Sequence, residues 1–180
     1  WEGSGIALRN GASSCEIKGN FIGTDARSTT DFSNEFCGIL ITGNSNGNLI
    51  GGSVFPEINV IAYNSTAIRI DGSTQNPLIG NSIVCNDTAA ISLVNNGNNL
   101  KAAPSILLAS NRDISGTGIP GDRIEIFLNR SRFCPEQLCQ GQLSVGTAQV
   151  NRDSTWSFRI LGTPSVGNIS FLEYDLATAT

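Results

Sequence analysis

Arg69 and Asp71 stand two residues apart in Ala67-Ile68-Arg69-Ile70-Asp71, so an extended strand puts both on one face and Ile68 and Ile70 on the other. Paired cations and acids of this kind can act on acidic sugars. A calcium-dependent lyase needs converging carboxylates and an Arg or Lys base, and a hydrolase needs two acids about 5–10 Å apart. Three similar segments supply the neighbours of this pair. Ala7, Leu40 and Ser92 fall beside Arg69, and Arg9, Thr42 and Val94 fall at the end of the same outward ladder as Asp71. One acid with no second carboxylate in register reads as a surface ion pair, so no catalytic residue is assigned and the expectation is a chain that is not an enzyme.

Composition narrows the chemistry further. The 180 residues include no histidine, which excludes Ser-His-Asp and Cys-His nucleophile pairs, histidine bases and His-ligated zinc. A net charge of −4 and a pI near 4.7 argue against nucleic-acid binding, which requires a basic stripe. The apolar runs are about four residues long, as in Ile106-Leu107-Leu108-Ala109, too short to span a bilayer. Asp25 and Asp31 bracket the excursion Asp25–Phe36; they could hold calcium, but solvating the loop is the preferred reading, so neither a metal site nor a cofactor is assigned. The chain opens on Trp1-Glu2-Gly3 and reads as a mature or excised piece of a larger protein.

The elements that position these residues repeat. Gly5-Ile6-Ala7-Leu8-Arg9, Gly38-Ile39-Leu40-Ile41-Thr42, Ala67-Ile68-Arg69-Ile70-Asp71 and Ala90-Ile91-Ser92-Leu93-Val94 each begin with a small residue and alternate apolar with variable, at starts 33, 29 and 23 residues apart. That spacing, with Gly/Asn turns between, predicts a β-solenoid. Stacking gives inward columns Ile6/Ile39/Ile68/Ile91, Leu8/Ile41/Ile70/Leu93, Ile17/Ile50/Ile79 and Ile22/Ile61/Ile83. Asn20, Asn59 and Asn81 form a ladder beside them whose amides bond coil to coil. Sixteen of the 19 asparagines lie in residues 1–111, so the two parts of the chain are built differently.

Gly19-Asn20-Phe21-Ile22-Gly23-Thr24-Asp25, Asn48-Leu49-Ile50-Gly51-Gly52 and Ile58-Asn59-Val60-Ile61-Ala62-Tyr63-Asn64 resemble the phrases of right-handed parallel β-helix repeats in large secreted bacterial surface proteins. Residues 104–180 alternate over Ile106–Ala109, Arg123–Leu128, Leu143–Ala148, Trp156–Ile160 and Ile169–Tyr174, which predicts an antiparallel sandwich with Trp156 in its core. Asn98-Asn99-Leu100-Lys101-Ala102-Ala103-Pro104, Gly121-Asp122-Arg123-Ile124-Glu125-Ile126-Phe127 and Ala177-Thr178-Ala179-Thr180 resemble the junction and Ig-like module that follow such β-helices. The resemblance implies an all-β chain, β-helix over residues 1–103 and Ig-like sandwich over 104–180, lacking the family's last strand.

The resemblance also implies secretion to a cell surface, an oxidising compartment in which Cys134 and Cys139 close their loop as a disulfide. Cys15, Cys37 and Cys85 read either as buried small hydrophobes or as one pair and a free thiol. Asn64, Asn86, Asn129 and Asn168 head Asn-x-Ser/Thr sequons, and Thr88 and Ser154 sit in short motifs for O-glycosylation in secreted bacterial proteins. The function expected is a structural or adhesive segment that spaces or presents binding modules. Its partners would be other modules of the same protein, itself in filaments, and cell-surface polysaccharide. The rival readings are a polysaccharide-active β-helix whose catalytic coils lie outside this segment, and a carbohydrate-binding module.

Overall fold

Alternation forces each strand-forming segment to choose an inside, and here the inside is isoleucine. The computed structural model describes residues 3–110, 112–129 and 140–161, and the backbone of residues 168–174. It is all-β, with parallel sheets first and antiparallel sheets after. β1 (Ser4–Leu8), β2 (Glu16–Ile17) and β3 (Phe21–Ile22) come from the first repeat, and β4 (Cys37–Ile41), β5 (Leu49–Gly51) and β6 (Val60–Ala62) from the second. The third gives β7 (Thr66–Asp71), β8 (Leu78–Ile79) and β9 (Ser82–Val84), and β10 (Ala89–Val94) opens a fourth. Each repeat adds one strand to each of three parallel sheets, ordered β1-β4-β7-β10, β2-β5-β8 and β3-β6-β9.

The register aligns Ile6, Ile39, Ile68 and Ile91, then Leu8, Ile41, Ile70 and Leu93, and Ile22, Ile61 and Ile83. Ile39, Ile41, Ile50, Ile61, Ile68, Ile70 and Ile83 are all fully buried in one core. One column differs from expectation. Ile50 pairs with Leu78, and Ile79 pairs with Gly51, so the third column is Ile17/Ile50/Leu78. The cause lies two residues upstream of each member, where Cys15, Asn48 and Asn76 stack and fix which residue turns inward. Leu78 is buried, and Ile79 is only half-buried.

The corners between strands share a left-handed residue. Gly19, Gly47, Tyr63, Gln75, Gly80 and Cys85 all have positive φ, and each immediately precedes a stacked asparagine. Glycine adopts that conformation without strain, and side chains pay a steric penalty for it. At Gly23 (φ 78°) even a methyl group would collide with Ala62 O and the Asn64 carboxamide, so the corner closes only on glycine.

From Ser105 onward every described pairing is antiparallel. β11 (Ser105–Ala109), β12 (Asp113–Thr117) and β15 (Thr155–Arg159) form one sheet in the order β11-β12-β15. β13 (Arg123–Asn129), β14 (Leu143–Gln149) and β16 (Asn168–Tyr174) form the other, in the order β14-β13-β16. β12 was not among the expected strands. Its Asp113-Ile114-Ser115-Gly116-Thr117 carries one large apolar residue, and Gly116 lies so close to Ser105 O and the Trp156 ring that no side chain fits. Ile114, Ile124, Ile126, Ala148, Val150 and Trp156 form this part's core, and the Trp156 Nε1–H donates to Thr117 O at 3.2 Å. β13 is buried along nearly its whole length, and its Phe127 belongs to the isoleucine core of the parallel part.

Candidate functional site

The outward face of β7 holds the pair singled out by its chemistry. The Arg69 guanidinium lies 3.2 Å from Asp71 Oδ2 and 5.6 Å from the centre of the Phe36 ring. Asp71 Oδ1 accepts from the Asn95 amide at 2.7 Å. Each side chain is a little over a quarter exposed, so the pair is a partly solvated ion pair stacked on an aromatic ring. Its neighbours in register are Leu40 and Ser92 for Arg69, and Val94 for Asp71. Leu40, expected to face water, is 3% exposed; it lies in register with Arg69, whose guanidinium reaches over Phe36. Ala7 is exposed, and Arg9 and Thr42 are half-buried.

The most developed polar constellation is a set of three asparagine ladders. In the first, Asn59 Oδ1 accepts from Asn20 N and Nδ2, each at 3.0 Å, and the Asn59 amide donates to Asn81 Oδ1 at 2.9 Å and to Ile17 O at 2.8 Å. In the second, Asn34 Nδ2 donates to Asn64 Oδ1 at 2.7 Å and Asn64 Nδ2 to Asn86 Oδ1 at 3.0 Å. The third joins Cys15 N, Asn48, Asn76 and Asn98 by bonds of 3.0 to 3.1 Å. In every ladder a backbone N–H, a side-chain amide or both from one repeat donate to the carboxamide oxygen of the next, satisfying corner groups that burial would otherwise strand. Sequence reading found only the first. The others were visible as Asn48, Asn76 and Asn98 at intervals of 28 and 22 residues, and Asn64 and Asn86 at 22.

The second ladder does not stop at the last parallel repeat. Gln140 takes the next rung: its Oε1 accepts from Asn86 N at 2.8 Å and from Asn86 Nδ2 at 3.0 Å, and its Nε2 donates to Asn86 O at 2.5 Å. Around it, Ile83 N donates to Gly141 O at 3.0 Å, and Ser82 Oγ donates to Gln142 O at 2.6 Å. Glu125, 4% exposed, accepts from Gly80 N at 3.0 Å and from Arg123 at 3.2 Å. Burial raises its pKa against the opposing pull of Gly80 and Arg123. Lys101 and Asp122 close the same junction, 2.7 Å apart and nearly buried.

The remaining candidates fall apart from one another. Asp25 accepts from the backbone N–H of Thr29 at 2.8 Å and of Thr30 at 3.2 Å, the Thr29 bond first in holding its carboxyl below the usual range. Asp31 caps Ser33 N at 2.8 Å, so each acid serves its own turn. Among the described residues no group of three or more His, Cys, Asp or Glu converges as metal ligands would. Cys15 is half-buried and Cys37 buried, both as thiols. Cys134 and Cys139 lie outside the described residues. Of the sequons, Asn64, Asn86 and Asn129 are buried, and the Asn64 and Asn86 amides are engaged in the ladder, so a glycan on either nitrogen would break it. The Asn168 side chain lies outside the described residues. Thr88 is exposed, with its hydroxyl on Ser65 O and Thr66, and Ser154 is half-buried in a left-handed turn.

A scan against protein-family models finds no match, and a search of curated proteins finds no significant one.

Proposed function

We propose that the parallel part is a right-handed β-helix over residues 1–103, that residues 104–180 are an Ig-like sandwich, and that together they form a structural or adhesive segment of a large secreted bacterial surface protein. The observation that carries this reading is the asparagine ladders. They run from repeat to repeat and bond each to the next through buried amides, which suits a rod that holds its length. The Arg69–Asp71 pair fits the same reading, because both groups are engaged by Phe36, Asn95 and each other. The partners proposed are further modules of the same protein and surface polysaccharide.

Stretching single molecules by their ends tests the spacer role. A spacer of this construction resists extension and then yields in discrete steps as repeats peel away. Extension at near-zero force, as for a flexible linker, would refute it.

A further inference from the structure

The two ends of the parallel stack differ. At one end β9 is covered: Gly141 O accepts from Ile83 N, Gln142 O accepts from the Ser82 hydroxyl, and Gln140 closes the second ladder on Asn86. At the other end β1, β2 and β3 are all sheet edges among the described strands. There Ile6 and Leu8 are only partly buried, as are Ile91 and Leu93 on the last strand β10, whereas their column-mates Ile39 and Ile41 are fully buried; the ends differ in the cover of β9 and in the ladder. Asn20 donates to Asn59 Oδ1 and to Lys18 O, and among the described residues nothing donates to its own Oδ1. In the first ladder the matching oxygens of Asn59 and Asn81 each accept from the preceding repeat.

From this polarity we infer that the β1–β3 end is a docking face for the donor side of a further parallel coil with an asparagine at the ladder position. The inference rests on the β-helix reading proposed above and names the partner of its open end. Complementarity fixes the occupant. The face offers a carboxamide acceptor and a half-covered Ile6/Leu8 pair, which matches the N–H and amide donors and isoleucine columns that each repeat presents to the next. A second copy of this chain does not fit. Two β1–β3 ends would set acceptor against acceptor, and at the opposite end of a copy the donors of Ile83, Ser82 and Asn86 are already taken by Gly141, Gln142 and Gln140.

The test uses the chain extended by one coil, a copy of residues 34–64 joined ahead of Gly3, with amide hydrogen exchange of Ala7, Glu16 and Phe21 as readout, because alternate residues of these strands already bond the following coil and these three face the open edge. The expected result is exchange at least tenfold slower at these amides than in the unextended chain. Replacing the copy's asparagine by Asn59→Ala removes much of that protection. Equal protection from a scrambled extension, or none from the intact copy, overturns the inference. So does concentration-dependent dimerisation of the unextended chain that protects the same amides. None of these outcomes bears on resistance to stretching, so the spacer role stands or falls separately.

Discussion

At the scale of single residues, two side chains hold positions that cost free energy. Gln75 is exposed and sits at φ 59°, one residue before Asn76, where three other corners use glycine. A left-handed backbone costs a side-chain-bearing residue about 1–2 kcal/mol, partly offset in glycine by its larger unfolded-state entropy. Gln75→Gly is therefore expected to stabilise the fold by about 0.5–1 kcal/mol, read as a raised denaturant midpoint with unchanged slope; a lowered midpoint would contradict the corner account. Glu125 carries its carboxylate into the junction between the two parts, and burial raises its pKa. A carboxyl whose folded pKa lies above its unfolded one contributes stability that is full at low pH. That contribution is lost as pH rises through the usual glutamate range towards the raised value. Glu125→Gln keeps an oxygen for Gly80 N–H and removes that dependence. Urea titrations across this range are expected to show the variant gaining on the parent protein as pH rises, and a gain as pH falls would reverse the sign.

At the scale of elements, register is decided by asparagine as much as by isoleucine. Alternation alone placed three of the four columns, because Ile6, Ile39, Ile68 and Ile91 and their partners recur in segments of the same length. It misplaced the fourth because Ile50-Gly51 and Ile79-Gly80 look like the same phrase, whereas Asn48 and Asn76 count two residues on to Ile50 and Leu78. Leu78→Ala is therefore expected to cost about 2–4 kcal/mol and Ile79→Ala less than about 1; equal costs would restore the discarded column. Two ladders escaped notice for a related reason. Gly19-Asn20, Gly47-Asn48 and Gly80-Asn81 read as turns, but Tyr63, Gln75 and Cys85 fill the same left-handed position and hide the pattern. In thermal or denaturant unfolding, Asn59→Ala, which breaks bonds to the repeats on both sides, is expected to cost about 3 kcal/mol, and Asn20→Ala at the open end about 1. Similar losses at both sites would mean that the ladder is not directional.

At the scale of the whole molecule, the parallel and antiparallel parts share a seam. Phe127 enters the isoleucine core, Glu125 reaches Gly80, and Gln140 extends an asparagine ladder across the boundary. No local pattern announces that seam: Gln140 is not an asparagine, and β13 reads as an ordinary sandwich strand until both of its faces are seen to be covered. The polar side chains that are most buried serve this continuity, and the outward pair Arg69 and Asp71 is tied to its neighbours. The role proposed for the chain is that of a structural segment without catalytic activity of its own. Its most direct test is incubation of the purified protein with pectate, alginate and other acidic glycans, with and without calcium, followed by ultraviolet absorbance and reducing-end assays. The account predicts neither unsaturated uronate nor new reducing ends; either product, abolished by Arg69→Ala or Asp71→Ala, would contradict it.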